Sequence, residues 1–222
     1  AMVMGGRIAP ALTRHLAEKR GRPQAAATPR PLELAVFVVS LPAVAAWVVA
    51  PEAWPTALAL AVAALLHLAR LATWKGWSTV DRPPFLALHL GYAFLPLGLA
   101  LQAVAAATGS LEFADLGVHA WGTGTLGLMC AAIMTSVVRR YSGRALTVSR
   151  LADALVVALF AAAALRLSAG LLDLPRALLD ASAGAWTLAY ATLLVMVARD
   201  RRLAASAPAE PTEESDAKRG NW

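Results

Sequence analysis

The chain has 222 residues, of which 59% are hydrophobic and only 15% charged, and its mean hydropathy is +0.59. A soluble domain carries about 25% charged residues, and a fold of this size leaves much of its chain near water. The composition therefore excludes a mostly disordered chain and argues against a soluble enzyme. The formal charge of +6 raises nucleic acid as a partner, and the single cysteine, Cys130, excludes an intrachain disulfide framework or a paired-cysteine metal or redox site. The N-terminal stretch has neither the apolar core nor the small-residue cleavage site of a secretory signal.

Six apolar stretches follow one another, at about 32–50, 55–72, 85–107, 116–138, 151–172 and 176–198. At ~1.5 Å rise per residue each is long enough, or nearly so, to cross a hydrocarbon core of ~30 Å. Lipid offers no partner to an open strand edge, and the alternation of a lipid-facing barrel is absent, so helices are expected. The expected fold is all-α: a polytopic transmembrane bundle of about six spanning helices. Residues 1–31 read as the end of a helix plus a basic cytoplasmic arm, 32–198 as the six-helix transmembrane domain, and 199–222 as a disordered cytoplasmic tail. Pro51, Pro55, Pro83, Pro84 and Pro175 mark segment ends, while Pro42 and Pro96 lie inside segments, where kinks are expected.

The charges order the segments. Arg7, Arg14, Lys19, Arg20, Arg22 and Arg30 precede the first. Arg70, Lys75 and Arg82 lie between the second and third, and Arg139, Arg140, Arg144 and Arg150 between the fourth and fifth. Arg199, Arg201, Arg202, Lys218 and Arg219 follow the sixth. These are 18 of the 20 basic residues, all on alternate connections. The positive-inside bias then puts both termini of this chain in the cytoplasm. It also accounts for the basic charge without nucleic acid, because the cations are spread over short loops and not gathered with stacking aromatics. Trp47, Trp54, Trp74, Trp77 and Trp121 fall at or near segment ends, as an interfacial belt requires.

Polar side chains within spans are costly and mark candidate sites. His67 near the end of the second segment and His89 near the start of the third are expected at similar depth in the inner leaflet, facing each other or a shared cofactor. Such a pair could ligate a haem iron axially or share a metal, or it could make helix–helix hydrogen bonds. His119 opens the fourth segment on the outer side, too far from them for one metal atom. A stripe of small residues, Gly117, Ala120, Gly124, Gly127 and Ala131, lies beside it and permits close approach of a helix or a flat cofactor. Cys130 is roughly 16 Å along the helix from His119 and reads as a packing residue. Arg166 in the outer half of the fifth segment could pair with Asp180, meet a haem propionate, or snorkel outward. The GxGxxG run at Gly122–Gly127 lies in an apolar span without the strand a dinucleotide fold needs.

Several of these motifs resemble the NnrS family. The family's GGR-x-x-P-x-x-T element corresponds to Gly5, Gly6, Arg7, Pro10 and Thr13. His67 through Leu71 with Trp74 to Trp77, and Leu88 to Tyr92 with Leu95 to Gly98, follow in the same order. His119, Ala120, Gly124, Gly127, Met134, Thr135 and Ser142 to Arg144 are similar to a later block. The resemblance implies a bacterial inner-membrane protein that binds haem and copper and is linked to nitric oxide and denitrification. By position it implies a metal or haem role for His67, His89 and His119, while Arg166 is a candidate haem contact on its place in the fifth segment alone. This chain departs from the family pattern at Ser136, Arg140 and Tyr141, where the family has Arg, Gly and His. It resembles a C-terminal half: the family's earlier half carries a His-Ala-His-Glu-Met motif that this chain lacks, which implies a missing N-terminal half or a partner subunit.

Three functional readings remain on the sequence. The first is a haem- or metal-binding protein of nitric oxide handling, the second a transporter or channel-like bundle without a redox cofactor, and the third a purely structural helical bundle serving a partner. No carboxylate at mid-bilayer is available to couple ions, which counts against the second. The topology is checked by cysteine labelling: a cysteine at Ser110 should react from outside the cell and one at Ser206 only from inside, and the reverse pattern overturns the orientation.

Overall fold

The computed structural model describes residues 2–21, 27–141, 150–172 and 176–205. Among them all regular structure is helical. In order these are α1 (Met2–Lys19), α2 (Arg30–Val49), α3 (Trp54–Thr73), a 3-10 turn (Gly76–Thr79), α4 (Pro83–Thr108), α5 (Leu111–His119), a π-helical segment (Ala120–Gly127), α6 (Leu128–Tyr141), α7 (Arg150–Leu171) and α8 (Arg176–Ala205). Six spans are long and apolar enough to cross a membrane; α5, the π segment and α6 form one of them, Leu111–Val137. The expected fold class holds, with boundaries close to those read from the apolar stretches. The parts of the tail at 206–222, of the loop at 142–149 and of the turn at 173–175 lie outside the described residues, as do Arg22 to Ala26 of the arm.

Local chemistry sets the ends. α2, α3 and α4 each begin with proline in the first turn, where the missing N–H costs nothing and φ is already helical. α4 ends at Gly109 in the left-handed conformation, with φ of 69°, a common helix stop. Ser110 then caps α5 by accepting from the Phe113 backbone N–H. Both α2 and α4 run on through Pro42 and Pro96.

α4 is the central helix. It packs against α1, α3, α5, the π segment, α6 and α7, and 67% of its spanning window is buried, against 17% for α2 and 22% for α8. Side chains such as Val38, Leu41 and Val48 on α2 and Leu188, Leu194 and Val195 on α8 face outward. In water such a surface would aggregate; in lipid it is matched to its solvent. The small-residue stripe serves close packing against α4: a Cβ at Gly117 would strike Gln102, and one at Gly124 would strike Phe94.

Three sequence expectations are corrected here. Trp74 is not part of an interfacial belt. It is buried, with its ring 4.4 Å from Tyr92. Trp54 and Trp77 are exposed as a belt requires, whereas Trp121 turns inward and donates to the Leu95 carbonyl at 3.1 Å. Arg70 is not a loop cation; it lies in the last turn of α3 and is 1% exposed. Cys130, expected to pack internally, is exposed on α6.

α1 is fastened by polar contacts and by glycine. Arg20, just past its end, pairs with both oxygens of Asp81. That guanidinium holds the Asp81 carboxyl below its ordinary range, so this pair contributes above about pH 4 and is lost as pH falls through the depressed value. Being exposed, it is also weakened by salt. Gly6 lies against the Arg70 guanidinium, where a Cβ would overlap it. Gly6→Ala should therefore destabilise the protein by about 1–3 kcal/mol. Gly184→Ala, where a Cβ meets nothing within 4 Å, should be neutral. Unfolding in detergent compares the two.

Candidate functional site

The bundle holds a polar cluster at each end. At the end where α3 turns into α4, the centre is Arg70. Its Nε donates to Glu33 Oε1 at 3.0 Å and its Nη2 to Oε2 at 2.5 Å, a bidentate pair reaching across to α2. Its Nη1 donates to the Tyr92 hydroxyl on α4 at 3.0 Å and to the Met2 carbonyl on α1 at 3.1 Å. The guanidinium also lies 5.5–5.9 Å from the ring centroids of Phe37, Trp74 and Tyr92, within cation–π range. A cation so placed is costly unless fully partnered, and here α1, α2 and α4 supply the hydrogen-bond partners.

His67 belongs to this network. It is fully buried, with Nδ1 2.7 Å from the Tyr92 hydroxyl and Nε2 3.1 Å from Ser40 Oγ. Arg70 can only donate to Tyr92, so the phenol proton is free to go to His67 Nδ1. Ser40 Oγ engages the other ring nitrogen, Nε2. The result is a chain Glu33–Arg70–Tyr92–His67–Ser40 through α2, α3 and α4, in which both ring nitrogens of His67 are taken and neither is free for a metal.

His89 stands one turn from Tyr92 on α4, near the 3-10 turn. Its Nδ1 lies 3.1 Å from the Phe85 carbonyl and its Nε2 3.1 Å from Thr13 Oγ1 on α1. The Thr13 hydroxyl donates to the Ala9 carbonyl at 2.8 Å, so both His89 ring nitrogens face oxygens and neither is free as it stands. The ring contacts run from His67 to Tyr92, from Tyr92 to Trp74 and from Trp74 to His89. Among the described ring contacts, then, the two histidines are linked through Tyr92 and Trp74 and not directly.

At the other end lie His119, Asp115 and Arg166. His119 Nδ1 is 2.9 Å from the Asp115 carbonyl and 3.3 Å from its Oδ1. Both are acceptors and closer than the one donor nearby, Arg166 Nη2 at 3.5 Å, so the proton is placed on Nδ1. Arg166 Nη2 donates to Asp115 Oδ2 at 2.9 Å, which makes Asp115, and not Asp180, its partner. His119 and Arg166 line a cavity of about 470 Å³ with Thr123, Asp180, Trp186 and Thr187 on its other sides. With Nδ1 committed, Nε2 is the nitrogen left for a ligand. This is the arrangement metal-binding imidazoles show, one nitrogen on the metal and the other held by a carbonyl or carboxylate.

The π segment begins directly after His119. One-turn π insertions disturb the backbone ladder and are frequent at functional sites. Thr125 within it is buried, and its Oγ1 has no hydrogen-bond partner. Tyr190 from α8 donates to the Gly127 carbonyl at 3.2 Å.

As a test of fit, His119 suits a metal or a haem iron as a single oriented nitrogen donor. His89 suits one only if Thr13 yields. His67 does not fit as it stands. No group of three or more His, Cys, Asp or Glu that could hold a metal ion occurs among the described residues, and the cavities lined by Gln102, by Arg7 and by His119 include neither His67 nor His89.

Six apolar spans around a buried polar interior define a multi-pass helical membrane protein. More particularly, the chain belongs to the NnrS family: the family model described as NnrS protein matches residues 1–199. No curated protein and no solved structure matches it.

Sequence reasoning missed Arg70, Glu33, Tyr92, Ser40 and Asp115 as parts of these clusters. Arg70 read as one more positive-inside cation. The signal that could have found it was the Gly5–Gly6 pair, which lets α1 approach the guanidinium. Removing the shared hydroxyl tests the network: Tyr92→Phe should cost about 1–3 kcal/mol, because it leaves a buried donor on Arg70 and a ring nitrogen of His67 unpaired. Equilibrium unfolding in mixed micelles measures it.

Proposed function

We propose that this protein is a haem- or copper-binding component of the bacterial inner membrane, engaged in the response to nitric oxide or in denitrification, with both termini of this chain in the cytoplasm. The observation that carries the metal reading is His119, whose Nδ1 is pinned to Asp115 and whose remaining nitrogen belongs to a ring lining a cavity. Family membership supports the chemistry, and the alternation of basic residues supports the orientation.

In this reading His119 supplies one ligand through Nε2, and the other ligands come from outside this cluster. Asp115 fixes the tautomer and orientation of the imidazole and is itself held by Arg166. Arg166 would offer its other N–H groups to a carboxylate entering the cavity, such as a haem propionate. A bound iron or copper supplies the centre at which nitric oxide would bind. His89 is the second candidate ligand, and would require Thr13 to move aside. His67 is proposed as part of the Arg70 network and not as a ligand. A transporter without a redox cofactor finds less support, because α2 and α4 are continuous through Pro42 and Pro96 and do not break into half-helices.

The test uses the whole protein purified from its membrane, with metal content and the optical spectrum as readouts. His119→Ala should lower bound copper or haem at least tenfold. Asp115→Asn, with the ligand intact, should weaken affinity about 10–100-fold. Unchanged metal, haem and Soret absorption in a folded His119→Ala protein would overturn the assignment.

A further inference from the structure

A separate cavity of about 430 Å³ opens between α1, the segment before α2, and α2 itself. Its described lining includes Arg7, Arg14 and Arg70 but a single carboxylate, Glu33. Both oxygens of that carboxylate are taken by Arg70. Arg7 and Arg14 are seven residues apart, two turns of α1, so they project from the same face about 10 Å from one another along the axis. Glu18, one turn beyond Arg14, is not in the lining, and Asp81 is engaged by Arg20. The rest of the wall is mixed: Thr28 is polar, while Val3 and Phe37 are apolar.

The cavity therefore has a rim carrying two arginines, Arg7 and Arg14, a floor closed by the paired Arg70 and Glu33, and an apolar side. It also lies at the end of the bundle where the basic connections gather. We propose that it binds the phosphate of an anionic phospholipid head group, with Arg7 and Arg14 donating to the phosphate oxygens and the apolar wall meeting the glycerol and the first acyl carbons. Arginine forks match phosphate geometry. Basic pockets between spanning helices on the cytoplasmic side are suited to anionic head groups, and that leaflet carries the anionic surface potential. Bound there, the lipid bridges α1 and α2 beside the Glu33–Arg70 pair and couples the leaflet to the polar network. The choice of leaflet rests on the orientation proposed above, which cysteine labelling tests on its own.

The experiment is thermal unfolding of the delipidated whole protein in neutral detergent, titrated with phosphatidylglycerol, with phosphatidylcholine and with inorganic phosphate. Phosphatidylglycerol should raise the midpoint by about 2–6 °C, and phosphatidylcholine should not. The Arg7→Gln/Arg14→Gln protein should need at least tenfold more phosphatidylglycerol for the same shift, while Arg176→Gln, at the far end of the bundle, should behave as the unsubstituted protein. If the double variant does not fold, Arg7→Gln alone, at an exposed position, serves with a smaller loss. A shift produced by inorganic phosphate and abolished in the same variants would assign the site to soluble phosphate and overturn the lipid. Equal response to both lipids, or a full response in the substituted protein, would overturn the site.

Discussion

A buried guanidinium organises one whole end of this protein. Arg70 lies within a spanning helix at 1% exposure, where an unpartnered charge would not be tolerated. Its donors reach the Glu33 carboxylate on α2, the Tyr92 hydroxyl on α4 and the Met2 carbonyl on α1. Satisfying one side chain thus fixes the relative position of four helices. Hydrophobic burial cannot do this between helices in lipid, because the tails are as apolar as the side chains. The network supplies the register that a hydrophobic core supplies in water.

The other end works by a different device. There the helix backbone itself is altered: the π segment follows His119, and the Asp115–Arg166 pair ties α5 to α7. The stripe of small residues brings this irregular stretch tightly against α4 through Phe94 and Gln102. A distorted helix held by close contacts positions an imidazole without burying it: His119 is 31% exposed, open to a ligand from the cavity side. The two ends therefore differ in kind. One is closed and fully hydrogen-bonded, as suits structure; the other is partly open with an oriented donor, as suits binding.

The two inner histidines illustrate how residue type alone misleads. His67 and His89 have the same chemistry and similar positions in their helices. Their neighbours separate them: His67 is held between the Tyr92 hydroxyl and Ser40 inside the Arg70 network, and His89 between the Phe85 carbonyl and the Thr13 hydroxyl.

The sequence by itself determined that this chain is a bundle of six spanning helices. Apolar runs of the right length, with prolines and glycines at their ends, admit no other backbone in lipid. The alternation of cations was equally legible, since it depends on position along the chain alone. What only the tertiary structure decided was rotation about each helix axis. In a span with apolar residues on every face, periodicity does not say which side meets lipid, so Trp74 and Arg70 read as interfacial and prove buried, while Cys130 read as packed and proves exposed. Nor does any run of residues announce a π segment, because it depends on packing against α4 and α7 from elsewhere in the chain. The partners of Arg70 lie 22 to 68 positions away in the chain, and only folding brings them within hydrogen-bond distance.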